Sequence, residues 1–140
     1  MKKVFVNGYG SIGSRIIQFL KDDPEIEVVG VGKYSPDSKV QEALDHGYKV
    51  YVPEKNQNAF SDFSIAGNIE SALDESDLVI DASPGGIGFK NKKLFYEKIL
   101  ENFINLRHPK KVFTLIFKLI KYYKFFSKNN VFHIEQYVGL

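Results

Sequence analysis

The sequence contains no cysteine and no tryptophan, and its one methionine is the first residue. Within these 140 residues the missing cysteine excludes disulfides, thiolate metal sites and thiol nucleophiles. No run of about 20 uncharged apolar residues occurs, so no membrane-spanning helix is expected. The opening MKKVFVNGYG carries two lysines but no long apolar core with a small-residue cleavage site. It reads as a first strand, not a signal peptide, and the expected location is cytoplasmic. A formal net charge of +2 says little by itself about partners, and no nucleic acid is expected among them. The three histidines stand apart from one another and from any paired nucleophile, so neither a metal site nor a catalytic residue is expected. His46, in DHG, reads as a helix end, and His108 and His133 read as surface or packing residues.

What is present is an alternation. The apolar run of Lys3, Val4, Phe5 and Val6 ends in Asn7 and Gly8, a buried-strand signal. Ile12, Ile16, Ile17, Phe19 and Leu20 recur at helical spacing until Asp22, Asp23 and Pro24 stop the helix. Residues 26–31, IEVVGV, form a second β-branched run. Val40, Ala43 and Leu44 predict a short helix ending near Gly47, and residues 49–52 a third strand. Residues 53–68 are polar and poorly patterned, with room for a short helix and one short extended piece. Residues 69–75 predict a helical turn or two, and residues 77–82, DLVIDA, another buried strand. After the break at residues 83–86, Phe95, Ile99 and Phe103 mark a further helix. The expected fold is α/β: a Rossmann-like, doubly wound, mostly parallel sheet with helices on both faces, plus an atypical helical C-terminal tail. The expected division is residues 1–105 for the nucleotide-binding domain and 106–140 for the tail.

Between the first strand and its helix lies VFVNGYGSIGSRI, with Gly8, Gly10 and Gly13 at the G-x-G-x-x-G spacing. Alone that pattern is weak, but here a strand precedes it and a helix and a second strand follow. Gly8 permits the tight turn, Gly10 lets a pyrophosphate approach the backbone, and Gly13 lets the helix lie close to the strand. The free N–H groups near Ser11 and Ile12, with the positive end of the helix dipole, suit an anion. The Ser11 hydroxyl adds a hydrogen-bonding group. A glycine-rich turn that merely saves space is the alternative.

A dinucleotide's adenosine ribose is read at the end of the second strand, where an acidic residue accepts from the 2′-hydroxyl of NAD. This chain has Gly32, Lys33, Tyr34 and Ser35 there. A lysine cannot accept that bond but pairs with a 2′-phosphate. Lys33 with Ser35 therefore points to NADP, or to tolerance of NADP and NAD. A solvated lysine on a loop is the other reading.

Taken together, NGYGSIGSR, VVGVGKYSPD, HGYKVYVP and DLVIDASPGGIG resemble the archaeal-type phosphorylating glyceraldehyde-3-phosphate dehydrogenase family over residues 1 to about 96. Ser11 replaces the usual threonine and keeps its hydroxyl, while Ser14 replaces a lysine. The resemblance implies NAD or NADP binding through Gly8, Gly10, Ser11, Ile12, Gly13 and Lys33, with Pro84 lining the nicotinamide side. It also implies a second part carrying the substrate sites, where a cysteine in an S-C-N-T-T motif attacks the aldehyde and a histidine acts as base. That catalysis does not carry over, because no cysteine is present.

After Lys98 the resemblance stops. From Leu100 on there is no alanine, one glycine, and an excess of Phe, Lys, Ile, Asn, Tyr and Leu. These amino acids have AT-rich codons, so one expectation is a frameshifted tail on a truncated dehydrogenase that is inactive alone. Residues 112–126 are strongly apolar, with Lys111, Thr114, Lys118, Lys121 and Lys128 along one helical stripe. A helix laid over the sheet explains this more simply than a membrane-surface helix drawn to anionic lipid. Loss of a second domain would leave apolar surface that the tail covers or that pairs two chains into a homo-oligomer. The alternative function is a nucleotide-responsive regulatory or membrane-surface protein acting through the basic tail.

Overall fold

The computed structural model describes residues 1–83, 87–96 and 131–133. The helix predicted over residues 112–126, and the continuation through Ile99 and Phe103, lie outside the described residues.

Strand β1 (Lys2–Asn7) leads to helix α1 (Ser11–Leu20), strand β2 (Ile26–Gly32), helix α2 (Ser38–Asp45) and strand β3 (Val50–Val52). A 3-10 helix (Glu54–Phe60), strand β4 (Gly67–Asn68), helix α3 (Ile69–Asp74) and strand β5 (Leu78–Asp81) follow. Helix α4 (Ile87–Asn91) runs into a π-helical turn (Lys92–Tyr96), and β6 spans Val131–His133. The six strands form one sheet in the order β4-β3-β2-β1-β5-β6, and every pair is parallel. The expected Rossmann-like α/β fold is therefore present.

Parallel pairing forces each connection across a face of the sheet, and both faces are filled. Alternation along the strands decides which residue goes where. Val4 and Val6 of β1, with Leu78 and Ile80 of β5, pack against Ile16, Ile17 and Leu20 of α1 and Val40 and Ala43 of α2. On the other face Phe5 and Val79 meet Ile69, Ala72 and Leu73 of α3, together with Tyr51 and Tyr96. Fully burying an aliphatic side chain such as Ile16 or Ile17 contributes roughly 1.5–3 kcal/mol each. The register between β1 and β2 steps once: Val4 faces Val28, but Phe5 faces Gly30, so Val29 is extra. Helix α2 starts at Asp37, whose carboxylate accepts from the Lys39 amide, and ends at His46, whose Nδ1 lies 2.7 Å from the Glu42 carbonyl. No described helix is long and apolar enough to cross a membrane.

The strand order reverses direction at β1, between β2 on one side and β5 on the other. In open parallel sheets the crevice at such a point, beyond the carboxyl ends of the strands, is where ligands bind.

Candidate dinucleotide-binding site

The glycine loop sits on that crevice. Gly8 has φ +121°, and a Cβ there would stand 2.4 Å from the Ala82 carbonyl carbon and 2.5 Å from the Ser83 nitrogen. No L side chain suits either the dihedral or the space, so Gly8 lets the chain leave β1 tight against the end of β5. Gly13 has the second forced approach: its Cβ would meet the Gly8 carbonyl oxygen at 1.8 Å. Gly10 is the opposite case: among the described residues a Cβ there would meet nothing within 4 Å. The missing side chain at Gly10 thus leaves free space beside the loop, not a packed contact.

Gly10 is also the N-cap of α1. It offers no side-chain cap, and the first turn has no acidic residue. Among the described residues, the amides at this helix start therefore have neither a capping side chain nor a first-turn carboxylate to offset the dipole. Ser11 is exposed and Ile12 half-buried beside this opening. Free space at Gly10 next to an uncapped helix start is what an anionic pyrophosphate requires, and these residues fit a dinucleotide.

Two side chains hold the loop in place. Tyr9 is buried, its amide donates to the Gly32 carbonyl (2.9 Å), and its hydroxyl donates to Glu42 (3.4 Å). Burial first, and then the Glu42 charge, push the Tyr9 phenol up to about 12. Glu42 itself is held below the ordinary carboxylate range, chiefly by its hydrogen bond from Lys39.

Lys33 immediately follows β2, as the sequence predicts, but it is not a solvated loop lysine. It is buried, and its ammonium donates to Asp37 Oδ1 and Oδ2 at 2.7 and 2.9 Å and to the Tyr9 carbonyl at 3.5 Å. Ser35 is exposed in the turn between Lys33 and Asp37, and its carbonyl accepts from the Asp37 amide. Pro84 lies outside the described residues.

Matches to known proteins bear on this geometry. No family model matches the chain. It is 41% identical over 97 residues to a glyceraldehyde-3-phosphate dehydrogenase of Sulfolobus acidocaldarius, covering 68% of this chain and 28% of that protein. Glyceraldehyde-3-phosphate dehydrogenase 1 of Methanosarcina acetivorans is 43% identical over 98 residues (69% and 29%), and the Methanothermus fervidus enzyme 41% over 101 residues (70% and 30%). Over those residues the chain is similar to glyceraldehyde-3-phosphate dehydrogenases at about 40% identity. It spans under a third of the length of these relatives. The matched length agrees with the stretch from residue 1 to about residue 96 that carries the dehydrogenase motifs.

A polar network at the carboxyl ends of β1 and β5 was not foreseen in the sequence. Asp81, at the end of β5, is fully buried. Its Oδ1 accepts from the Ser83 amide (2.9 Å) and the Ser83 hydroxyl, and its Oδ2 from Asn91 (3.1 Å) and Tyr96. Asn7 donates to the Tyr96 hydroxyl (2.7 Å) and accepts from the Tyr34 hydroxyl (3.0 Å), which in turn accepts from Asn91 (2.8 Å). Burial, then the Asp81 charge, raise both the Tyr34 and the Tyr96 phenols. The carboxylate is thus satisfied by four neutral donors, as a buried charge requires. These bonds join the chain segments that leave β1, β2 and β5.

Proposed function

We propose that this chain binds NAD or NADP at the loop between β1 and α1, as the nucleotide-binding part of a glyceraldehyde-3-phosphate dehydrogenase. The observation that carries the reading is the unfilled space at Gly10 beside an uncapped helix start, at the sheet's switch point. The amides near Ser11 and Ile12 hold the pyrophosphate, and Gly8 and Gly13 keep the loop close to the sheet. Lys33 and Ser35 stand where the 2′ position of the adenosine ribose is read, which favours NADP. When bound, the nicotinamide supplies a hydride acceptor. These 140 residues supply no thiolate to attack an aldehyde, so the chain by itself binds cofactor without turning over glyceraldehyde 3-phosphate. A cytoplasmic location and a part in glycolysis or gluconeogenesis belong to the same reading.

Titration calorimetry with NADP and with NAD tests the site. Gly10→Val puts a branched side chain into the free space, and binding is expected to disappear while the melting temperature stays near that of the wild type. Equal affinity in wild type and variant would put the site elsewhere. Turnover of the aldehyde by the pure chain above a no-protein blank would end the inactivity claim.

A further inference from the structure

Lys33 has an acidic partner that the reading above leaves without a role. Both carboxylate oxygens of Asp37 lie within 3 Å of the Lys33 ammonium. The lysine side chain is 8% exposed and the aspartate 50% exposed, so the pair has one face in the protein and one in water. The ammonium's other acceptor, the Tyr9 carbonyl, belongs to the glycine loop. Asp37 Oδ1 also caps α2 through the Lys39 amide. The neighbouring Lys39 ammonium is taken by Glu42 and is not spare.

We propose that Asp37 is a specificity-determining residue, which tunes the choice between NADP and NAD by holding Lys33. The proposal rests on dinucleotide binding at this loop. A 2′-phosphate arriving at the end of β2 meets a cation that is already neutralised. It must either compete with Asp37 for Lys33 or sit beside the Asp37 carboxylate, and both weaken its binding. A 2′-hydroxyl carries no charge and suffers neither penalty. With Asp37 neutral, Lys33 is a largely buried ammonium left with one backbone carbonyl, and an incoming phosphate becomes its natural partner.

The test is calorimetric titration of NADP and NAD, separately and at low salt, into the full 140-residue chain. The variants are wild type, Asp37→Asn, and Asp37→Asn combined with Lys33→Met. Asparagine caps a helix as well as aspartate does, so α2 keeps its start, which circular dichroism verifies. Asp37→Asn is expected to raise the ratio of NADP to NAD affinity by about three- to fivefold, the scale of one half-exposed ion pair. The double variant is expected to lose that gain. An unchanged ratio in Asp37→Asn, with NAD still bound, overturns the role of Asp37 alone. The same holds if the gain survives removal of Lys33. Absence of binding by either cofactor to every form overturns the dinucleotide reading itself.

Discussion

Replacing Gly13 by alanine isolates the contact on which the loop geometry depends. A Cβ at this position would lie 1.8 Å from the Gly8 carbonyl oxygen and 2.9 Å from its carbon. Real Cβ contacts essentially never fall below 3.0 Å, so helix and loop must separate by about 1 Å. The atoms in the way are backbone, and no side-chain rotation relieves the clash. Overpacking of this kind costs about 1–3 kcal/mol or more. The helix preference of alanine over glycine returns at most about 1 kcal/mol, less near a helix start. A net loss of about 2 kcal/mol is expected, which for a domain of this size lowers the melting temperature by about 10 °C. Thermal melts followed by circular dichroism measure it, with Gly10→Ala as the matched control. The control should lose only about 0.5–1 kcal/mol, the cost of alanine in place of glycine at an N-cap, since among the described residues its Cβ meets nothing within 4 Å. Equal melting temperatures for Gly13→Ala and wild type would refute the close approach of α1 to the loop.

Two further outcomes concern the polar groups. Asp81→Asn keeps the shape but turns an amide towards the donors from Asn91 and Tyr96, and about 3 kcal/mol of stability should be lost, read as a lower urea midpoint; an unchanged midpoint would mean the carboxylate is not held this way. Alkaline pH should unfold the protein through its tyrosines. The folded-state phenols of Tyr9, Tyr34 and Tyr96 are all raised by burial, so the unfolded chain releases these protons first. Their contribution is complete below about pH 10 and is lost as the pH rises towards the Tyr9 value of about 12. Urea midpoints measured above pH 10 should fall, and a flat profile would contradict the assignment.

Elements that bury apolar runs were legible from the sequence. Strands β1, β2 and β5 are short β-branched stretches bounded by breakers, and α1 has one apolar stripe stopped by Pro24. The one-residue step at Val29 was not legible, because an extra residue in an apolar run leaves no mark on composition. Strand β4 has only Gly67 and Asn68, too short for a period to show. The glycine loop was readable because its residues are neighbours in the chain. The contacts of Asp81 were not, since its partner Tyr96 is 15 residues away and Asn7 reaches Tyr96 across 89. The position of Lys33 after β2 was legible, but its burial depends on how the turn through Ser35 brings Asp37 back. Ser35, Pro36 and Asp37 mark a turn and a helix start, but that local pattern does not say that the carboxylate returns to the lysine.

The Ser83 amide, bonded to a buried carboxylate, has a consequence for local opening. Loops around a binding crevice are usually the first parts of a domain to exchange their amide hydrogens with solvent. Ser83 follows the last strand residue and is 1% exposed, yet its amide cannot be freed without uncovering the charge of Asp81. Its exchange should therefore follow the large openings of the sheet, not the quick fluctuations of a surface turn. A ligand arriving at the crevice then finds this edge already ordered, and spends less of its interaction energy on immobilising it.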